Sequence, residues 1–178
     1  MQLSRNGAIF LACREAIVTV AYQDGEHCSI GMGSNDPRLR PRDTITVKEA
    51  FERLKRHVDA REAIVNRMLK VEVSQQQFDA LFDLYYQNGN KPDGACRRGF
   101  DHMASLINAS RFDEAAAYFP ECCRNSAGEP KEGLRKRRVM EQAVFLRGDY
   151  GDLSAIPIWR GDPHTTPREL YQLQPGDI

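Results

Sequence analysis

The chain reads as an α+β protein, mostly α-helical, with a small β-hairpin section ahead of a larger helical body. Three patterns predict this. Val20, Tyr22, Cys28 and Ile30 flank Asp24-Gly25, which suggests two short strands and a turn. Apolar residues from Val47 to Leu69 recur at three- and four-residue steps, the spacing of one long helix. The segment after Ser74 is apolar almost all round, which marks a buried central helix.

Taken in order, Leu3, Ile9, Phe10, Leu11 and Ile17 suit an opening helix from near Ser4 to around Glu15. The hairpin follows, then loop signals at Asn35-Asp36-Pro37 and Pro41-Arg42-Asp43. Thr46-Val-Lys-Glu49 is a capping box that opens the long helix, which can reach Lys70 and is long enough to connect two lobes. Ser74-Gln-Gln-Gln77 is a second box; the helix it starts carries Phe78, Leu81, Phe82, Leu84, Tyr85 and Tyr86 and stops at Asn88-Gly89-Asn90. A loop is expected from Lys91 to Arg98. Short helices follow around Phe100–Ile107 and from Ser110 to Pro120, then a loop from Asn125 to Pro130 and a last body helix from Lys131 to Leu146. From Gly148 the composition turns proline-rich. This tail is expected to lie as a strap anchored by Ile156, Ile158 and Trp159, with one helical turn capped at Thr166-Pro-Arg-Glu169. Its rival is a disordered tail that binds a partner.

Bulk properties exclude several classes. With 178 residues, 41% apolar and 28% charged, the chain is long enough to bury one good core and is neither disordered nor membrane-embedded. Its 25 basic and 25 acidic residues balance, so charge gives no argument for nucleic acid. The basic run Arg135, Lys136, Arg137 and Arg138 reads first as a solvated helix face. Cys13, Cys28, Cys96, Cys122 and Cys123 are odd in number and irregularly spaced, which argues against a disulfide framework or a zinc site. The N-terminus lacks the features of a secretory signal, and no stretch approaches membrane-spanning length. Synthesis in the cytoplasm without membrane insertion is therefore expected.

The chemistry concentrates between Glu15 and Gly33. Glu15 lies where the first helix ends, among Ala12, Ala16 and Ile17; a carboxyl partly desolvated there would suit a general acid. Asp24 stands nine residues on, and the hydroxyl of Ser29 five beyond that. Two acids on different backbone elements are what glycosidic hydrolysis needs. Each residue also has an ordinary reading: a surface glutamate paired with Arg14, a common Asp-Gly turn, a serine in a polar strand. Their joint order is what points to function.

That order resembles the phage-type lysozyme (endolysin) family, the glycoside hydrolase family 24-like muramidases. Their signature reads Glu-x(8)-Asp-x(5)-Thr within E-G-x-x-L-x-A-Y-x-D-x-x-G-x-x-T-I-G-Y-G-H. Tyr22 matches the Ala-Tyr-x-Asp tyrosine, and Ile30-Gly31-Met32-Gly33 the Ile-Gly-x-Gly. Ser74 to Leu81 is similar to T-x-x-Q-F-D-A-L, Ser110 to Ala116 to G-x-y-x-x-A-A, and Gly133 to Glu141 to G-L-x-x-R-R-x-x-E. The resemblance implies a lysozyme-like fold spanning residues 1–148. A small lobe at 15–45 would be joined by the long helix to a helical lobe at 71–148, leaving 149–178 as a Pro-rich extension packed on the body. Peptidoglycan would bind in the cleft. Glu15 would be the general acid, Asp24 would stabilise positive charge or help position water, and Ser29 would replace the family's threonine as the water-orienting hydroxyl. Tyr86 would line the cleft, and Arg135 or a neighbour would pair with Glu15. The family is regarded as inverting, which calls for carboxyls about 6.5–9.5 Å apart.

Three departures stand out. Ser34 replaces the family's histidine, Ser29 lacks the threonine methyl that restricts the rotamer, and the turn before it is a residue shorter than in some relatives. The reading implied is a muramidase that cleaves between N-acetylmuramic acid and N-acetylglucosamine, without metal or cofactor, as a monomer. It would reach the wall from the host cytoplasm once a separate membrane-permeabilising protein acts. The alternatives are a lytic transglycosylase using the same Glu15, and a non-catalytic peptidoglycan-binding phage particle protein.

Overall fold

The computed structural model describes residues 1–35, 37–89, 94–125 and 127–178, and of residues 35, 89 and 94–96 the backbone alone. Expectations resting on Asp36, Asn90, the segment from Lys91 to Asp93, the Cys96 thiol and Ser126 lie outside the described residues. The chain divides into a sheet unit, residues 8–59 with 152–178, and a helical unit, residues 1–7 with 60–151.

Helix α1 runs Arg5–Glu15. It starts where the sequence predicts, because the Ser4 hydroxyl accepts the Gly7 N–H at 3.0 Å and so satisfies one of the orphan donors of the first turn. Its residues Ile9, Phe10, Leu11 and Ala12 are buried.

In the sheet unit, β1 (Ile17–Asp24) pairs antiparallel with β2 (His27–Gly31), and β2 with the short β3 (Ser34–Asn35). Asp24 faces His27, so the two-residue turn is Gly25-Glu26 and not Asp24-Gly25. Gly25, at φ +61°, takes the first turn position, where a side chain would be strained, and Asp24 becomes a ladder residue. The ladder slips between Val18↔Gly31 and Tyr22↔Ser29, a bulge-like irregularity.

The C-terminal residues continue this sheet. Strand β4 (Ala155–Trp159) runs parallel to β1, and β5 (Glu169–Gln172) antiparallel to β4, giving the order β3-β2-β1-β4-β5. Ile156 and Ile158 are fully buried. The helical turn expected at Thr166–Glu169 does not form; that segment leads into β5, where the backbone gains ladder partners.

Helix α2 spans Val47–Met68, close to the predicted length. Its capping box is complete, with the Glu49 N–H on Thr46 Oγ1 at 3.1 Å and the Thr46 N–H on the Glu49 carboxylate at 2.7 Å. The first half, within the sheet unit, buries Ala50, Phe51, Leu54 and Val58; the second, within the helical unit, buries Val65. None of the described helices is long and apolar enough to cross a membrane.

In the helical unit, α3 (Gln75–Leu84) opens on the predicted Ser74–Gln77 box and passes into a π-helical turn, Tyr85–Gly89. Helix α4 (Gly94–Asn108) begins earlier than expected, taking residues 94–98 out of the predicted loop. Its apolar face (Phe100, Met103, Leu106 and Ile107) is buried. Helix α5 is Phe112–Tyr118, extended by a 3-10 turn at Phe119–Glu121, and α6 is Glu132–Arg147.

The basic run on α6 is only half a solvated face. Arg135 and Lys136 are exposed, but Arg138 is fully buried and Arg137 nearly so. Arg137 grips Asp83 of α3 with two hydrogen bonds of 2.9 and 3.0 Å, while Arg138 meets buried Glu141 at 2.5 Å. Burial alone would raise the Asp83 carboxyl, but Arg137, with Glu141 and Arg138 behind it, holds it below its ordinary value. Glu141 is pushed well up, by burial first and also by the Asp83 charge, against the pull of Arg138. Asp83→Asn would strip a buried guanidinium of its carboxylate, so we expect a loss of about 3–5 kcal/mol near pH 7 by urea unfolding. Because the folded-state pKa of Asp83 lies below the unfolded one, the wild-type advantage is complete above about pH 4. It fades as pH falls through the folded value, and the two stability curves should converge in acid.

Candidate active site

Glu15 is the last residue of α1 and is half-buried. The chain then turns sharply into β1 through Ala16, which is buried and has φ +58°, a left-handed conformation that a non-glycine residue adopts at a cost. Its N–H still bonds the Ala12 carbonyl at 2.8 Å, so the helix end is closed at the acid. The Arg14 guanidinium lies 4.9 Å over the Phe10 ring.

Asp24 ends β1 at an exposed position. Ser29, opposite Tyr22 on the ladder and buried, donates its hydroxyl hydrogen bond to Asp24 Oδ2 at 3.1 Å. Tyr22 and Asp24 are two residues apart on one strand, so their side chains and that of Ser29 share a face. Past β2, the chain returns to Glu15. Gly33 has φ +77°, and a Cβ there would stand 3.3 Å from Glu15 Oε2. One strand and the two residues after it thus serve both acids, through Ser29 at Asp24 and through Gly33 at Glu15.

The structure therefore brings Glu15, Asp24 and Ser29 into one unit, on neighbouring elements. Tyr86 belongs to the helical unit, in the π-helical turn, with the Arg61 guanidinium 4.9 Å over its ring and Phe82 at 6.4 Å. Two features escaped the sequence reading. Ser34, which stands where the resemblance expects histidine, has a histidine of α2 beside it, with His57 Nε2 3.2 Å from Ser34 Oγ. The C-terminal segment lays His164 against Tyr22, rings edge-on with centroids 5.8 Å apart. Neither pairing has a sequence signal, because 23 residues separate the first pair and the second joins opposite ends of the chain.

Two carboxylates on separate elements, one braced by a hydroxyl, are chemically equipped to give a proton on one side and to hold charge or water on the other. The chain belongs to the phage lysozyme family, whose model matches residues 12–141 and so includes Glu15, Asp24, Ser29 and Tyr86. It is 34% identical to the endolysin of Bacillus phage PZA over 99% of this chain and 66% of that protein. With the endolysin of Bacillus phage B103 the identity is 29%, over 99% of this chain and 65% of that protein. The chain thus spans about two thirds of the length of these relatives. Among solved structures, the endolysin of Escherichia coli O157:H7 phage FAHEc1 aligns with a TM-score of 0.72 at 27% identity, covering 85% of this chain and 98% of that one. The fold is the lysozyme-type α+β arrangement the resemblance implied.

The two turn glycines separate backbone strain from crowding. Gly25 has open space around its Cα, whereas Gly33 does not. Alanine at either should cost about 1–2 kcal/mol in urea unfolding from the positive φ. Only Gly33→Ala should also displace the Glu15 carboxyl, seen as a shift of its 13Cδ resonance; an equal shift from Gly25→Ala would contradict this placement.

Proposed function

We propose that the chain is a peptidoglycan hydrolase, a muramidase that cleaves the β-1,4 bond between N-acetylmuramic acid and N-acetylglucosamine. The observation that carries the reading is the joint placement of Glu15 at a closed helix end and Asp24 under the Ser29 hydroxyl, within a phage lysozyme family match. Glu15 gives its proton to the departing glycosidic oxygen. Asp24 faces the positive charge that builds on the sugar ring and helps hold the attacking water. Ser29 works through Asp24, because its donor is engaged there. An inverting course follows from the family, with water attacking the face opposite the leaving group. Tyr86 is assigned a substrate contact on the resemblance. No metal or cofactor takes part in this reading. Like the endolysins it is similar to, the protein would be made in the host bacterial cytoplasm and act as a monomer on the wall once another protein breaches the membrane.

The test is turbidity loss of purified peptidoglycan with end-group analysis, wild type against Glu15→Gln. We expect lysis with new reducing ends, and a variant slower by about a hundredfold or more. Anhydro ends in place of reducing ends would make the protein a lytic transglycosylase. Wall binding without cleavage by either protein would leave a binding protein of the phage particle.

A further inference from the structure

We propose that His57 is a positioning residue for Glu15: by holding Ser34 against α2, it fixes the turn between β2 and β3, whose Gly33 sets the place of the Glu15 carboxyl. The proposal deepens the muramidase reading and rests on it. Its parts all lie within the sheet unit.

The turn is short. Ile30 faces Ser34 and Ser29 faces Asn35 on the antiparallel ladder, so Gly31, Met32 and Gly33 make the connection. Gly31 and Gly33 have φ +70° and +77°, which lets the chain reverse this tightly without a side-chain clash. The same freedom means that the glycines themselves do little to fix where the reversal sits.

Helix α2 supplies the hold. Ala50, Arg53 and His57 follow one another at steps of three and four, and so share one face of the helix. A Cβ at Gly31 would stand 3.9 Å from Ala50 Cα and 3.7 Å from Arg53 Cδ, so the start of the turn lies against that face. At the other end Ser34, 5% exposed, is joined to it by the 3.2 Å hydrogen bond between its Oγ and His57 Nε2. Gly31, Met32 and Ser34 are buried, while Gly33 between them is exposed. Gly33 is also the residue whose Cβ would stand 3.3 Å from Glu15 Oε2.

The backbone of Gly33 is therefore a wall beside the Glu15 carboxyl, and Ser34 is the next residue along. Their shared peptide is planar, so anchoring Ser34 limits how far Gly33 can swing. A serine hydroxyl has three staggered positions, and in a buried place the one with a hydrogen-bond partner is selected. His57 provides that partner from a capped, packed helix. It acts on Glu15 through Ser34 and Gly33, by keeping the acid aligned.

The experiment uses the full chain, with wild type and Glu15→Gln as references and urea midpoints to show that each variant folds. In Ser34→Ala and in His57→Ala we expect kcat to fall about tenfold with KM within about twofold, since the loss is one of alignment and not of binding. The double variant should be no worse than either single one. His57→Gln, whose amide nitrogen reaches about as far as Nε2, should restore most of the rate, a rescue that loss of packing does not predict. Lys55→Ala, on the exposed side of α2, should leave the rate unchanged. A readout independent of turnover is the 13Cδ resonance of Glu15 at one fixed pH. It should shift in Ser34→Ala and in His57→Ala, and stay in place in Lys55→Ala. A Glu15 resonance unmoved in both variants, or kcat of both within twofold of an active wild type, overturns the positioning role alone. A wild type that cuts no wall overturns the muramidase reading; the Glu15 resonance then still decides the placement, an unmoved one overturning it as well.

Discussion

The antiparallel pairing of β1 with β2 is the constraint on which the candidate site depends. Side chains alternate along a strand, so a one-residue slip would move Tyr22, Asp24 and Ser29 off their common face. The register is held at the turn by Asp24↔His27 and at the far end by Val18↔Gly31, with the irregularity taken up between them. Irregularities of this kind bend a strand and re-aim the residues beyond it. The exit of β2 matters as much, because Gly33 is where backbone meets the Glu15 carboxylate. The two acids are thus placed by backbone and not by each other. Strain collects at the same junction. Ala16 occupies the left-handed region immediately after Glu15, where the family signature has glycine, and the conformation persists because the helix end and the buried start of β1 both fix it.

The helical unit is ordered by a different device, buried carboxylates one helical turn apart on α3. Asp79, 2% exposed, accepts hydrogen bonds from the Ser4 N–H at 3.1 Å, the Ser4 hydroxyl, Gln75 at 2.8 Å and Tyr150 at 2.7 Å. It therefore ties the N-terminal residues and the segment after α6 to the central helix. The Tyr150 phenol is pushed up to about 12, by burial and then by this carboxylate, so it stays a donor. Gly7 belongs to the same arrangement, since a Cβ there would stand 2.7 Å from Asp79 Cγ. Asp83 does the corresponding work toward α6 through Arg137. Apolar packing sets how closely these helices approach, while charged hydrogen bonds of fixed geometry set which arrangement is adopted.

Local signals in the sequence fared well because they rest on neighbouring residues. Ser4, Thr46 and Ser74 mark helix starts through caps that involve only the next three residues, and the 3.6-residue pattern fixes α2 almost to its ends. What escaped is long-range. Asp79 and Asp83 lie on a helix that reads as apolar almost all round, and what they hold is hidden until their partners, distant in sequence, are known. The basic run reads as a solvated face by its charge alone, but four consecutive residues point in different directions on a helix, and Arg137 and Arg138 turn inward. The hairpin was legible but its turn was displaced by one residue, and that displacement puts Asp24 on the ladder beside Ser29's hydroxyl. Glu15, Asp24 and Ser29 were legible as an ordered set through family resemblance; the contact of Tyr22 with His164 was not, because it forms only once the sheet is assembled.

The C-terminal strands change how the sheet itself is understood. The family match ends at residue 141, but β1 has neighbours on both sides, β2 from the front of the chain and β4 from the back. At the end of β1 that β4 pairs, Ile17, Val18 and Thr19 are buried in succession, while Gln23 and Asp24 at the other end are exposed. The parallel pairing Ile17↔Ile158 and Val18↔Trp159 lies on the same residues that lead out of Glu15. Removing β4 would leave backbone groups of β1 without partners at the point where α1 hands over to the sheet. The alignment with the Bacillus phage PZA endolysin runs over 99% of this chain, so it takes in these residues as well. In this chain the sheet that carries Asp24 is a five-stranded structure closed by its C-terminal residues, and the geometry of the acids is set by strands from both ends of the sequence.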